Sequence, residues 1–331
     1  MDRTAVDIRV VTPAGVQAKG VDELPALLRG PDPVWVDVPS WDDEAAGALV
    51  EPLGLHAGAV RDCAERNPLP KVHIYPDHVF VVLHAPEAGP RGHVHYIELD
   101  QFIGPNWLVT VHGPLGVGVD PAAAMTETRA VLRRLESGRL RADSAPALSH
   151  ALVTALTGRL RDFLTTLTQE VWHLEQTVMA GRVGRNAEAF LEELFRARHG
   201  LLAACTMAAL ARQVYGRMET RAVFGKDEGD LLRDSEDQFG RIAAMADTQR
   251  EYLQGVIEFY QTSTNTKMAI AAERLAVIAA LTLPVTAISS IMGMNVIVSD
   301  ETHWGWVTLL LSGMAAMSIA LLIWARRQGW W

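Results

Sequence analysis

Two kinds of hydrophobic pattern divide this chain. Up to about residue 115 the apolar residues come in short runs. "VWVDV" (34–38) and "VFVVLHA" (79–85) predict buried strands, and "IELDQFIG" (97–104) and "NWLVTVHG" (106–113) predict two more. Between them "WDDEAAGALVEPLGL" (41–55) and "HAGAVRDCAER" (56–66) predict helices, with Asp42 or Ser40 as cap of the first. From about Pro121 the runs give way to helical spacing. "APALSHALVTALTGRLRDFLTTLTQEVWHLEQTVM" and "NAEAFLEELFRARHGLLAACTMAALARQVYGRM" predict two long helices. Gly225 and Gly229 break the pattern, and a third helix begins near Asp230. It meets only Gly255 as a weak breaker before Pro284, a length of roughly 60 residues or ~90 Å.

The last part of the chain is uncharged over two stretches. Leu275 to Val298 and Trp304 to Ala325 carry no Asp, Glu, Lys or Arg. Each exceeds the ~20 residues that cross a bilayer core. Pro284 inside the first is tolerated in a membrane helix and can kink it. Lys267 and Arg274 precede the first span, and Arg326 and Arg327 follow the second. The loop between them carries Asp300 and Glu301 and no basic residue, so the positive-inside rule predicts both termini in the cytoplasm. Trp304 and Trp306 at one end, and Trp324, Trp330 and Trp331 at the other, fit interfacial belts. The expected setting is an inner or plasma membrane with the lipid bilayer as partner. One hairpin encloses no pore, so conduction requires several copies around an axis.

Composition narrows the classes. The net charge of -9 and the lack of a basic aromatic-rich patch exclude a nucleic-acid binder. An acidic soluble part concentrates cations instead. Cys63 and Cys205 form neither a disulfide framework nor a metal knuckle, and the expectation is that both are buried. No phosphate loop, nucleophile elbow or zinc-hydrolase motif occurs, so an enzyme is not expected. His84, Glu98 and His112 can be drawn together on paper, but nothing in their spacing requires it.

Several stretches, in order, resemble the CorA-type divalent metal transporters, a family that includes the zinc-transporting ZntB branch. "LTLPVTAISSIMGMN" is similar to the end of the family's pore helix, and "WARRQGWW" to its basic, aromatic tail. "VWVDV", "LGLHAGAVRD", "PKVHIYPDHVFVVLH" and "NWLVTVH" resemble its N-terminal α/β domain. The implied fold is a cytoplasmic α/β domain (1–120), a helical region (121–228) and a stalk helix running into the first span (229–293). An external loop (294–303), a second span (304–325) and a cytoplasmic tail (326–331) complete it. The implied assembly is a homopentamer whose long helices form a funnel.

The resemblance also implies roles. Gly293, Met294 and Asn295 stand at the outer pore mouth, where neutral amide and carbonyl oxygens engage a hydrated cation without trapping it. Leu275, Leu283, Thr286 and Ser290 recur at roughly helical spacing and match the pore-facing stripe; helix-to-helix packing explains the same spacing. Asp300 and Glu301 gather cations at the entrance or simply solvate a turn. Asp62 and Asp234 match a regulatory metal site between neighbouring subunits, which high internal Mg2+ would bridge. Arg61, where the family often has an acid, could pair either carboxylate in place of the metal.

The cargo stays open between Mg2+ and Zn2+, with Co2+ as a further candidate, and no prosthetic group is expected. Met292, Val296 and Ala269 depart from the Mg2+-type pattern. Six histidines fall between His73 and His112; His93 and His95 share a strand face, and His303 lies in the outer loop. The competing reading is a non-conducting, membrane-anchored metal sensor or interaction protein.

Overall fold

The computed structural model describes residues 6–116, 118–221, 223–225, 228–293 and 304–327. Two strands open the chain, β1 (Asp7–Thr12) and β2 (Gly15–Lys19), followed by a short helix α1 (Leu24–Leu27) and strand β3 (Val34–Val38). Helix α2 (Asp43–Leu53) starts where Asp42 accepts a hydrogen bond from the Ala45 amide at 2.8 Å. It ends at Gly54, whose φ of 63° is the left-handed conformation of a helix C-cap. Helix α3 (Ala57–Ala64) follows, then β4 (Lys71–Ile74), β5 (Val79–Ala88), β6 (Val94–Ile103) and β7 (Trp107–His112). Gly104 permits the β6–β7 turn, since a Cβ there would lie 2.1 Å from the Trp107 ring.

The seven strands form one sheet in the order β2-β1-β3-β7-β6-β5-β4. All neighbours are antiparallel except β3 and β7, which run parallel with Val34 opposite Trp107. The sheet was expected to hold the four central strands. The additional β1, β2 and β4 lie at or next to its edges, where solvated residues blur the period-two signal.

Two helices, α4 (Pro121–Ala124) and α5 (Thr126–Glu136), lead into α6 (Ala145–Met179) and α7 (Ala187–Thr220). The 35-residue α6 covers the predicted stretch from end to end, capped by the Ser144 hydroxyl on the Ala147 amide. Helix α8 (Gly229–Gly293) is a single helix of 65 residues, and α9 (Trp304–Arg327) has 24.

Alternation along the strands gives the sheet two apolar faces. Val34, Val36, Phe80, Phe102 and Val109 pack with Leu49 of α2 and Cys63 of α3 on one side. Trp35, Val81, Leu83, Leu99 and Leu108 pack on the other with Leu152 of α6, Met207 of α7 and Phe239 of α8. The sheet and the long helices therefore share one core. Arg159 of α6 fastens this layer: it donates to Pro86 O, Ala123 O, Glu87 and the buried Glu127, at 2.5–3.1 Å.

By its internal contacts the chain divides into two units, residues 1–256 and residues 257–331. Helix α8 contributes to both. In the second unit α8 and α9 are long and apolar enough to cross a membrane, and the most apolar stretch of each has no buried residue. A soluble core helix of that composition would be mostly covered.

Candidate cation pathway and gate residues

The four stripe residues lie on one arc of α8. At ~100° per residue, Leu275, Leu283, Thr286 and Ser290 fall within ~80° of the helix circumference. All four are exposed, Leu275 at 67% and Leu283 at 66%. The half-buried positions of the same segment are Val277, Leu281, Pro284, Val285 and Ile288. They occupy an arc of ~100° centred on the opposite side of the helix. Helix α9 is the other described element of this unit, and it has a matching half-buried face at Leu310, Met314, Met317, Ser318 and Leu321. The stripe is thus part of the wider side of α8 that its own chain leaves uncovered, which also includes Ile278 and Ile291.

The hydroxyls on this helix have a fixed polarity. Thr286 Oγ1 donates to Thr282 O at 2.8 Å, and Thr282 donates to Ile278 O at 2.9 Å. With the proton committed to the backbone, each oxygen presents only lone pairs outward. Such a group accepts from the water shell of a cation. Extending the arc toward the N-terminus of α8 reaches two exposed amides, Asn265 and Gln261, neither with a side-chain hydrogen bond among the described residues. They were not singled out in the sequence, though their spacing from Leu275 carries the same period. Gly293 ends α8. Met294, Asn295, Asp300, Glu301 and His303 lie outside the described residues.

The two carboxylates expected at a regulatory site, Asp62 and Asp234, are separate within one chain. Asp62 sits on α3, with Lys71 Nζ at 2.7 Å and His73 Nε2 at 3.5 Å from its Oδ2, both from β4. Its cationic neighbour is Lys71, not the adjacent Arg61. Asp234 sits near the start of α8. Its Oδ2 meets His150 Nε2 of α6 at 2.7 Å and accepts from Gln238 Nε2 at 2.6 Å. The hydrogen bond from His150 is the main cause holding the Asp234 carboxyl below its usual range. Thr157 Oγ1 donates in turn to Gln238 Oε1 at 2.7 Å. His150, Thr154 and Thr157 form a polar i, i+4, i+7 set in the largely apolar first four turns of α6, the signal by which this network could have been found. Both carboxylates are partly exposed and their present partners are displaceable donors, so the chemistry fits a hard or borderline cation.

The histidines resolve into separate environments. His84 Nε2 meets Asn67 O at 2.8 Å, and Asn67 donates to Glu98 through its backbone amide at 2.8 Å and its Nδ2 at 2.5 Å. Beside Glu98, the fully buried Asp100 lies against Cys63. Burial first, and the Glu98 charge second, raise the Asp100 carboxyl well above its usual range. Burial also pushes the Cys63 thiol up and the His84 imidazole down to about 4. His112 belongs to the other face of the sheet, with Asp37 at 3.0 Å and Thr128 at 3.4 Å. The paper arrangement of His84, Glu98 and His112 is therefore divided by the sheet. His93 and His95 stack edge to face at 4.7 Å. Among the described residues no group of three or more His, Cys, Asp or Glu side chains is placed to hold a metal within one chain. Cys63 is buried as expected, while Cys205 is half-buried.

A family model described as "CorA-like Mg2+ transporter protein" matches residues 31–327. The chain belongs to the CorA family. Among curated CorA relatives, the Cobalt/magnesium transport protein CorA of Thermotoga maritima is 21% identical over 305 residues, covering 90% of this chain and 83% of that one. In structure, the complete CorA magnesium transporter of Methanocaldococcus jannaschii superposes with a TM-score of 0.78 at 17% identity, covering both chains entirely. The ZntB cytoplasmic domain of Vibrio parahaemolyticus superposes with a TM-score of 0.59 at 11% identity, over 78% of this chain and 98% of that one. The CorA architecture is thus present from the α/β domain through the long helix to the two apolar C-terminal helices. A likeness that extends to both a magnesium transporter and a ZntB domain is a likeness of fold and leaves the ion open.

Proposed function

We propose that this protein carries divalent metal cations across a membrane through a pore made by five copies of the chain. The observation that carries the reading is the uncovered arc of α8. Leu275, Leu283, Thr286 and Ser290 stand exposed, opposite the face that packs in the chain. In a ring of copies that arc faces the axis. Leu275 and Leu283 then form apolar constrictions that dewet, and Thr286 and Ser290 accept from the hydration shell of a passing ion. Gly293, Met294 and Asn295 form the outer mouth, and Asp300 and Glu301 enrich cations beside it. Both termini lie in the cytoplasm. Asp62 of one copy faces Asp234 of the next, and a bridging cation between them holds the pore closed.

The cargo is Mg2+ or Zn2+, with Co2+ as a third candidate. Uptake into proteoliposomes holding purified protein, with each ion offered separately, tests the pore. Flux is expected for at least one ion and is expected to vanish in Asn295→Ala, and the order of rates names the cargo. No flux for any ion with internal metal chelated would replace this reading with that of a membrane-anchored sensor.

A further inference from the structure

Each of the two gate carboxylates has a histidine on it. His73 Nε2 lies 3.5 Å from Asp62 Oδ2, and His150 Nε2 lies 2.7 Å from Asp234 Oδ2. The two pairs come from four different elements: α3 and β4 supply the first, α8 and α6 the second. All four side chains are partly exposed, from 23% for Asp62 to 50% for Asp234. A nitrogen and an oxygen, both open to solvent, thus recur at each place where the gate reading puts a single carboxylate.

We propose that Asp62–His73 and Asp234–His150 are the two halves of an inter-subunit site for a late first-row transition metal, Zn2+ or Co2+. The proposal rests on the gate reading above, in which the two carboxylates face each other across copies. Joined, the halves offer two imidazole nitrogens and two carboxylate oxygens. Mg2+ takes oxygen ligands in octahedral geometry and keeps its water, so it has no use for the nitrogens. Imidazole suits zinc and its neighbours.

The distances fit. Two ligand atoms bound to tetrahedral zinc at ~2.0–2.2 Å lie ~3.4 Å apart. The Asp62–His73 pair is already at 3.5 Å, and the Asp234–His150 pair at 2.7 Å has to open by less than an ångström. Gln238, itself held by Thr157, orients the Asp234 carboxylate from behind, the kind of outer support a metal ligand has. Lys71, 2.7 Å from Asp62 Oδ2, is the resident cation that the metal displaces.

The test uses the full-length protein in detergent, stripped of metal. Zn2+ and Mg2+ binding are measured by calorimetry, and Co2+ binding by its visible absorption, which reports nitrogen ligation. In the His73→Ala/His150→Ala variant, Zn2+ affinity is expected to fall at least ~10-fold, the loss that even an outer-shell partner causes. The nitrogen signature of Co2+ is expected to disappear while Mg2+ binding stays. Lys71→Gln is expected to tighten Zn2+. If the histidine variant binds Zn2+ and Co2+ as the parent does while Asp62→Asn/Asp234→Asn abolishes binding, the proposal falls and the all-carboxylate gate stands. If neither variant changes Zn2+ binding, both the proposal and the facing of the two carboxylates fall. Flux loss in Asn295→Ala reads the pore independently of all these outcomes.

Discussion

Asp100 is a costly residue of the first unit, residues 1–256. Its carboxyl is fully buried beside Glu98 and Cys63, and its affinity for a proton is raised well above the ordinary range. Linkage fixes the sign. A carboxyl whose native pKa is raised contributes its full stability below the unfolded value of ~3.9 and loses it as pH rises through the native value. Removing the titration removes the slope. Asp100→Asn is expected to unfold at a higher temperature than the parent at pH 8, with the difference shrinking at pH 5. Thermal melts at the two pH values check it, and a parent that gains stability with rising pH relative to the variant would contradict it. Little of this was legible in the sequence. "IELDQFI" gives a strand with Glu98 and Asp100 on one face, but that this face is covered depends on α3 packing over it.

At the level of elements, the central strands and long helices were legible because each has a clean period. The edge strands were not, because half-solvated strands lose theirs. The polar joints between elements were equally hidden, since they pair residues far apart in sequence. Arg159 is the clearest: one guanidinium links α6 to Glu127 of α5, 32 positions earlier, and to Glu87 of β5, 72 positions earlier. Glu127 is 2% exposed, so removing its partner strands a buried charge. Arg159→Ala is expected to cost about 3–5 kcal/mol of stability, the usual penalty for breaking a buried pair from one side. Adding Glu127→Gln is expected to recover part of it, because the stranded charge goes too. Denaturant unfolding of the three variants measures both effects. Asp62 and Asp234 were singled out by resemblance alone, and their histidine partners belong to the same hidden class.

On the scale of the whole molecule, two membrane-length helices enclose no pore by themselves, so the proposed pore requires a closed ring of copies. Five copies are expected in the native particle. Mass measurement in detergent would show it, and a monomer or dimer as the largest species would rule out the pore as drawn. The proposed mouth comes from the sequence motif, of which Gly293 ends α8 and Met294 and Asn295 lie outside the described residues. The stripe lies within the described residues, where Leu275, Leu283, Thr286 and Ser290 are exposed opposite the half-buried face of α8, as a lining or a contact between copies both require.

The threonines of α8 carry one more consequence. Thr262, Thr266, Thr282 and Thr286 each give their hydroxyl proton to the carbonyl four residues earlier. A wall lined by such groups has no donor to offer a chloride or a phosphate, yet it carries no formal charge. In a ring of copies it would disfavour anions by polarity alone at the level of Thr286, the one of these four on the exposed arc. A cation would find no well deep enough to hold it, and so could be sorted by sign and released in the same passage.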